Sequence, residues 1–125
     1  MPIHVSWGND QKTYTIFKFE GKWTWDEYHA AVAAGYELVK DCPYTVNILI
    51  DMSDCRLFPQ NLISHFGSSM SQPPKPIDLA VIVTGSRFIE VLATTIERLY
   101  GKQQTRFRVV RTIDRAHELF VEYDI

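Results

Sequence analysis

The chain has 125 residues, 46% of them hydrophobic and 22% charged, with a formal net charge of -2. That suffices for one domain with its own core and excludes a disordered chain, and so small a charge gives no global attraction to nucleic acid or anionic membrane. With two cysteines (Cys42 and Cys55), no signal peptide and no apolar run near the ~20 residues that cross a bilayer, the expected setting is a reducing cytoplasm with free thiols.

Ile3-His4-Val5-Ser6-Trp7 reads as a first strand, turned back by Gly8-Asn9-Asp10 into a second, Thr13 to Glu20. In the second strand Tyr14 and Ile16 alternate with Thr15, Phe17 and Phe19, which predicts an antiparallel hairpin with two distinct faces. Thr24 followed by Glu27 matches a capping box and opens a helix whose expected buried stripe is Trp25, Tyr28, Val32, Tyr36 and Val39. Asp41-Cys42-Pro43 ends it, because the residue before a proline avoids helical geometry.

The run Ile48-Leu49-Ile50 is apolar without alternation and breaks off at Asp51, Ser53 and Asp54. Such a run suits a strand buried on both faces of a mostly parallel sheet, and its polar end marks the sheet edge where ligands tend to bind. Pro59 is expected to start a helix burying Leu62, Ile63, Phe66 and Met70, which Gln72-Pro73-Pro74-Lys75-Pro76 ends. Leu79 to Val83 is the next apolar strand. After Gly85, Ser86 is the natural N-cap of a helix burying Ile89, Leu92, Ala93, Ile96 and Leu99 or Tyr100, which Gly101 closes. Arg106 to Arg111 is the final strand, its arginines suiting a sheet edge. Thr112 then caps a last helix that turns Ala116, Leu119, Phe120 and Tyr123 inward. The expected architecture is α/β, a single domain over residues 1–125 in the order β-β-α-β-α-β-α-β-α. Its sheet is mostly parallel, with an N-terminal antiparallel hairpin and packed helices.

This order, with Ile48-Leu49-Ile50-Asp51-Met52-Ser53, Leu79-Ala80-Val81-Ile82-Val83 and Thr112-Ile113-Asp114-Arg115-Ala116, resembles the STAS-like or SpoIIAA-like superfamily, which includes the anti-sigma-factor antagonists, over roughly residues 12–123. The resemblance implies a regulatory domain that binds proteins or small molecules and is not itself an enzyme. Members switched by phosphorylation carry a serine at the start of the helix after the core strand. Here that position holds Pro59-Gln60-Asn61-Leu62, with no serine or threonine, so no phosphorylation site is expected.

Candidate ligand- or partner-binding residues are Asp51, Ser53 and Asp54 at the core-strand end, Leu57, Phe58, Gln60 and Asn61 after it, and Gly85, Ser86 and Arg87. Two carboxylates without a third ligand make a poor metal site, so Asp51 and Asp54 are expected to organise a turn. Thr84-Gly85-Ser86-Arg87 offers backbone N–H groups to an anion, though one glycine falls short of a phosphate-loop fingerprint and a plain N-cap is favoured. Cys55 and His65 invite a nucleophile-and-base reading but lack an orienting third residue. His4, His29 and His117 match no zinc spacing. No catalytic residue, metal or cofactor is therefore assigned.

The basic run Arg98, Lys102, Arg106, Arg108 and Arg111 is read as a solvated face, and nucleic acid is not an expected partner. Trp23 and Trp25 flank Thr24, so one of them is expected to be exposed or covered by a second subunit, which favours a homodimer. Three functional readings follow. The first is a non-enzymatic module whose recognition surface runs from about Leu57 to Met70. The second is a carrier of a hydrophobic small molecule or lipid, which requires a cavity between the first helix and the sheet. The third is a small hydrolase or transferase using strand-end polar residues.

Overall fold

In a computed structural model of the chain, residues 2–55, 58–62, 64–65, 77–100 and 106–123 are described, the side chain of Tyr100 excepted. Their elements, in chain order, are β1 (Ile3–Trp7), β2 (Tyr14–Gly21), α1 (Trp25–Val39), β3 (Asn47–Cys55), β4 (Leu79–Val83), α2 (Arg87–Tyr100), β5 (Arg106–Val110) and α3 (Ile113–Tyr123). The strands lie side by side in sequence order as one five-stranded sheet. β1 is antiparallel to β2, and every other neighbouring pair is parallel. This is the α/β order expected from the sequence, save that of the expected helix between β3 and β4 only Leu62, Ser64 and His65 are described; the antiparallel hairpin lies at one edge and the arginine-bearing strand at the other.

Strand alternation gives the sheet two apolar faces. Phe19, Met52 and Ile82 pack on one side against Tyr28 and Ala31 of α1 and Ile89, Leu92, Ala93 and Ile96 of α2. Tyr14, Leu49, Val81 and Val83 pack on the other against Ala116 and Phe120 of α3. Both α1 and α2 thus lie on one face. Each bridges adjacent parallel strands running the same way, and right-handed crossovers then place them together. At β1, His4 and Ser6 point to the α3 side and are exposed there.

Local sequence explains how the elements start. Thr24 accepts from the Glu27 N–H at 3.2 Å while Glu27 accepts from the Thr24 N–H at 3.0 Å, so the capping box is formed. Asn9 accepts from the Thr13 N–H at 3.0 Å and its amide donates to the Thr13 hydroxyl at 2.7 Å, which closes the hairpin loop. Buried Asn47 does a longer-range job: its Oδ1 accepts from the N–H groups of Asp78 (3.1 Å) and Leu79 (2.9 Å), anchoring the start of β4.

Several expectations need correction. The buried stripe of α1 is Tyr28, Ala31 and Gly35, while Tyr36 is 39% exposed. The helix sits so low on the sheet that small residues form its contact line: a Cβ on Gly35 would stand 2.5 Å from Phe17 Cζ. Leu99 (60%) and Tyr123 (38%) are exposed, and the side chain of Tyr100, the alternative to Leu99, lies outside the described residues. The core strand extends beyond the expected Ile48-to-Ser53 stretch at both ends, from Asn47 to Cys55. It runs on to Cys55, pairing Glu20 with Asp54 and Gly21 with Cys55 past a register shift in which Met52 and Ser53 of β3 lie opposite Phe19 of β2. After it, helical geometry begins at Leu62 and not at Pro59, since Asn61 has a φ of 66°, outside the right-handed helical region. Leu62, Ser64 and His65 are helical; Ile63, Phe66 and Met70, the rest of that expected stripe, and the proline cluster from Gln72 to Pro76 lie outside the described residues, as do Gly101 and Lys102.

Candidate ligand cavity and strand-end residues

The register places the carboxyl ends of β3 and β4 side by side, with Asp51 opposite Val83. Asp51, Ser53 and the Thr84–Arg87 turn therefore share one edge of the sheet, as the sequence suggests. Their polar groups, however, bond to one another locally. Asp51 Oδ1 accepts from the Ser53 N–H at 3.0 Å and the Ser53 hydroxyl at 2.6 Å. Thr84 Oγ1 accepts from the Ser86 N–H at 3.0 Å, and Ser86 Oγ accepts from the Ile89 N–H at 3.4 Å, the N-cap of α2. Gly85 and Arg87 are exposed beside them. Asp54 points to solvent and lies 3.8 Å from Lys18 Nζ. These are turn and cap chemistry. Among the described residues, no group of three or more His, Cys, Asp or Glu side chains is arranged to hold a metal ion.

The segment after β3 is held by indoles. Trp23 is 2% exposed and sits in the core, where its Nε1–H donates to Cys55 Sγ at 3.1 Å. Trp25 is half-buried: its Nε1–H donates to the Gln60 carbonyl at 2.7 Å and its ring stacks on His65 at 4.1 Å. Both tryptophans are thus covered from within the chain, which removes the reason for placing one of them in a subunit interface. Phe58 packs edge-on to Trp23 and, at 5.9 Å, against Phe88 of α2. Gln60 and Asn61 are exposed, and the Asn61 carbonyl accepts from the His65 N–H at 3.1 Å. Leu57 lies outside the described residues.

Cys55 and His65 are each held by a tryptophan. The thiol is engaged by Trp23 and the imidazole by Trp25. Burial pushes the Cys55 thiol pKa up, against a smaller opposing effect of the Trp23 N–H, so the nucleophilic thiolate is disfavoured.

The concave feature lies elsewhere, between α1, α2 and the sheet. A cavity of about 140 Å³ opens there, lined by Phe17 of β2, Val32 and Val39 of α1, Ile48 and Ile50 of β3, Ala93 and Ile96 of α2, and Phe107 of β5. Thr15, Tyr28 and Tyr36 are the hydroxyl-bearing residues of this lining. Ile48 and Ile50 belong to the very run that reads in sequence as solid core; they are only half-buried because they face this space. The sequence signal for it is Gly35. A glycine inside a helix costs roughly 1 kcal/mol relative to alanine, so its presence asks for a close approach, here that of Phe17.

A second arrangement has no signal in the sequence. On the α3 face the Tyr14 hydroxyl is hydrogen-bonded to His117 Nδ1, and the Tyr14 ring stacks on Phe120 at 4.0 Å. This ties α3 to β2 and gives His117 a structural role.

No protein-family model and no curated protein matches this chain. Among solved structures, it is similar to an uncharacterized protein of the DUF3478 family with a SpoIIAA-like fold from Shewanella loihica PV-4. The two share 15% identity at a TM-score of 0.67, covering 94% of this chain and 90% of that one. The chain has a SpoIIAA-like fold. No helix among the described residues is long and apolar enough to cross a membrane.

Proposed function

We propose that this SpoIIAA-like domain is a non-enzymatic binding module that holds a small apolar molecule between α1, α2 and the sheet. The observation that carries the reading is the cavity of about 140 Å³ walled by Phe17, Val32, Ile48, Ile50, Ala93 and Ile96. Binding pockets are mostly apolar concavities with few polar groups, and an apolar cavity of about 150 Å³ in another protein takes up benzene. Covering the apolar wall of this cavity removes that surface from water, which contributes roughly 25 cal/mol per Å² to holding an occupant. The size supports a ligand of about one small ring or a short branched chain, and argues against a whole lipid chain. Thr15, Tyr28 and Tyr36 suit an occupant with a single hydrogen-bonding group.

The strand-end residues support this reading less, since their polar groups are engaged in caps and turns. The protein-contact reading rests on the surface from Leu57 to Met70, half of which lies outside the described residues.

The test is a titration of the purified protein with benzene and phenol, followed by methyl NMR, after native mass spectrometry for a co-purifying molecule. Saturable shifts confined to Val32, Ile48, Ile50 and Ile96 are expected. Absence of saturation, or shifts scattered over the surface, refutes the reading.

A further inference from the structure

Packing within the chain uses only one side of α2. Ile89, Leu92, Ala93 and Ile96 enter the core, yet Phe88, Val91 and Leu99 are 57%, 55% and 60% exposed, and none of these three lines the cavity. With Thr95 they fall at spacings of three or four, so they form one stripe along the helix. The Thr94 hydroxyl donates to the Glu90 carbonyl at 3.0 Å, and the Thr95 hydroxyl donates to the Val91 carbonyl at 2.9 Å. Both hydroxyls are thus satisfied by their own helix and add little polarity to the stripe. Phe58, packed on Phe88 at 5.9 Å, continues it at the start of the helix. A contiguous exposed apolar strip of this kind marks an interaction site.

The charges beside the stripe are of one sign. Arg87 and Arg98, both exposed, lie on one line along the helix, three turns or ~16 Å apart. Among the described residues neither makes an ion pair. The acidic residues of the helix, Glu90 and Glu97, fall on the flank away from Phe88, where Glu97 accepts from the Phe107 N–H at 3.0 Å.

We propose that this face of α2 docks an acidic amphipathic helix of another protein, whose apolar residues cover Phe88, Val91 and Leu99 and whose carboxylates meet Arg87 and Arg98. Helices recognised in this way present anchors at spacings of three and four, the spacing of the stripe itself. Charge decides among the possible occupants. A second copy laid antiparallel on α2 would set Arg87 against Arg98, and one laid parallel would set each arginine against its own kind, so like charges oppose self-pairing. The net charge of -2 and the carboxylates of Glu90 and Glu97 on the same helix work against an anionic membrane. A footprint of roughly 20 Å by 10 Å along one helix is well below the ~800 Å² per partner of a stable complex, so the docking is reversible and sensitive to salt. The surface is separate from the cavity and does not depend on what fills it.

The probe is a synthetic helical peptide of about five turns, with leucines at spacings of three and four and glutamates beside them, next to a twin carrying lysines for the glutamates. Methyl NMR of the native protein should show saturable shifts at Val91 and Leu99 with the glutamate peptide. Its affinity should exceed that of the twin by about tenfold and fall as salt is raised. Replacing both arginines, Arg87→Glu with Arg98→Glu, should reverse the preference between the two peptides, a result that a loss of folding cannot produce. Val91→Asp, at an exposed position, should abolish binding of the glutamate peptide while circular dichroism stays native. Light scattering and sedimentation with phosphatidylglycerol vesicles are run beside the titrations. Equal binding of the two peptides, shifts away from α2, a preference unchanged by the double replacement, a native dimer that Val91→Asp dissociates, or vesicle binding without peptide binding overturns the proposal.

Discussion

Ala93→Leu separates a real cavity from a solid core by the sign of its effect. Ala93 lies on α2 with its side chain at the cavity wall, and leucine is as good a helix former to within a few tenths of a kcal/mol. The replacement adds three carbons, and burying each contributes about 0.8 kcal/mol when space exists for it. The ceiling is thus about 2.4 kcal/mol, and part of the gain is lost to imperfect fit and to the open side of the cavity, so a stabilisation of about 1–2 kcal/mol is expected. The assay is urea unfolding followed by tryptophan fluorescence, with the midpoint rising and the slope unchanged. In a core already packed to normal density the same change forces strain and costs about 1–3 kcal/mol. A loss of stability therefore refutes the reasoning. The same variant should no longer bind benzene.

Three further outcomes follow from particular bonds. Asn47→Ala leaves the N–H groups of Asp78 and Leu79 without their acceptor and should cost about 2–3 kcal/mol in urea unfolding, while Asn47→Asp, which keeps an acceptor oxygen, should cost less; equal costs would show that the acceptor is not what matters. Tyr14→Phe removes the hydroxyl bonded to His117 but keeps the stack on Phe120, so a loss of about 1 kcal/mol is expected, and no measurable loss would remove the bond from the account of α3 docking. Because the folded state holds the Cys55 proton more tightly than the unfolded chain, this thiol adds stability below the unfolded pKa that is lost as pH rises through the folded value. Alkylation of Cys55 at mildly alkaline pH, read by peptide mass spectrometry, should accelerate in denaturant by more than tenfold; equal rates in folded and unfolded protein would refute the shielding.

Features carried by neighbours along the chain are legible in the residues themselves. The capping box needs only Thr24 and Glu27, three residues apart, and the hairpin needs only the alternation on either side of Gly8-Asn9-Asp10. Ile48-Leu49-Ile50 announces a strand with a neighbour on each side, and the arginines of the last strand announce its edge. The bland reading of Asp51 and Ser86 is legible for the same reason: each bonds to a residue two or three positions away.

What the residues by themselves determined is thus the five strands, the three described helices, their order and the SpoIIAA-like fold, because period, caps and breakers act over a few residues. The tertiary structure alone decided that Gly35 meets Phe17, that Trp25 is covered by Gln60 and His65, that Asn47 anchors β4, and that Ile48 and Ile50 face a cavity. Each of those depends on how far one packed element stands from another. That separation is fixed jointly by side chains distant in sequence, so no single stretch of chain encodes it.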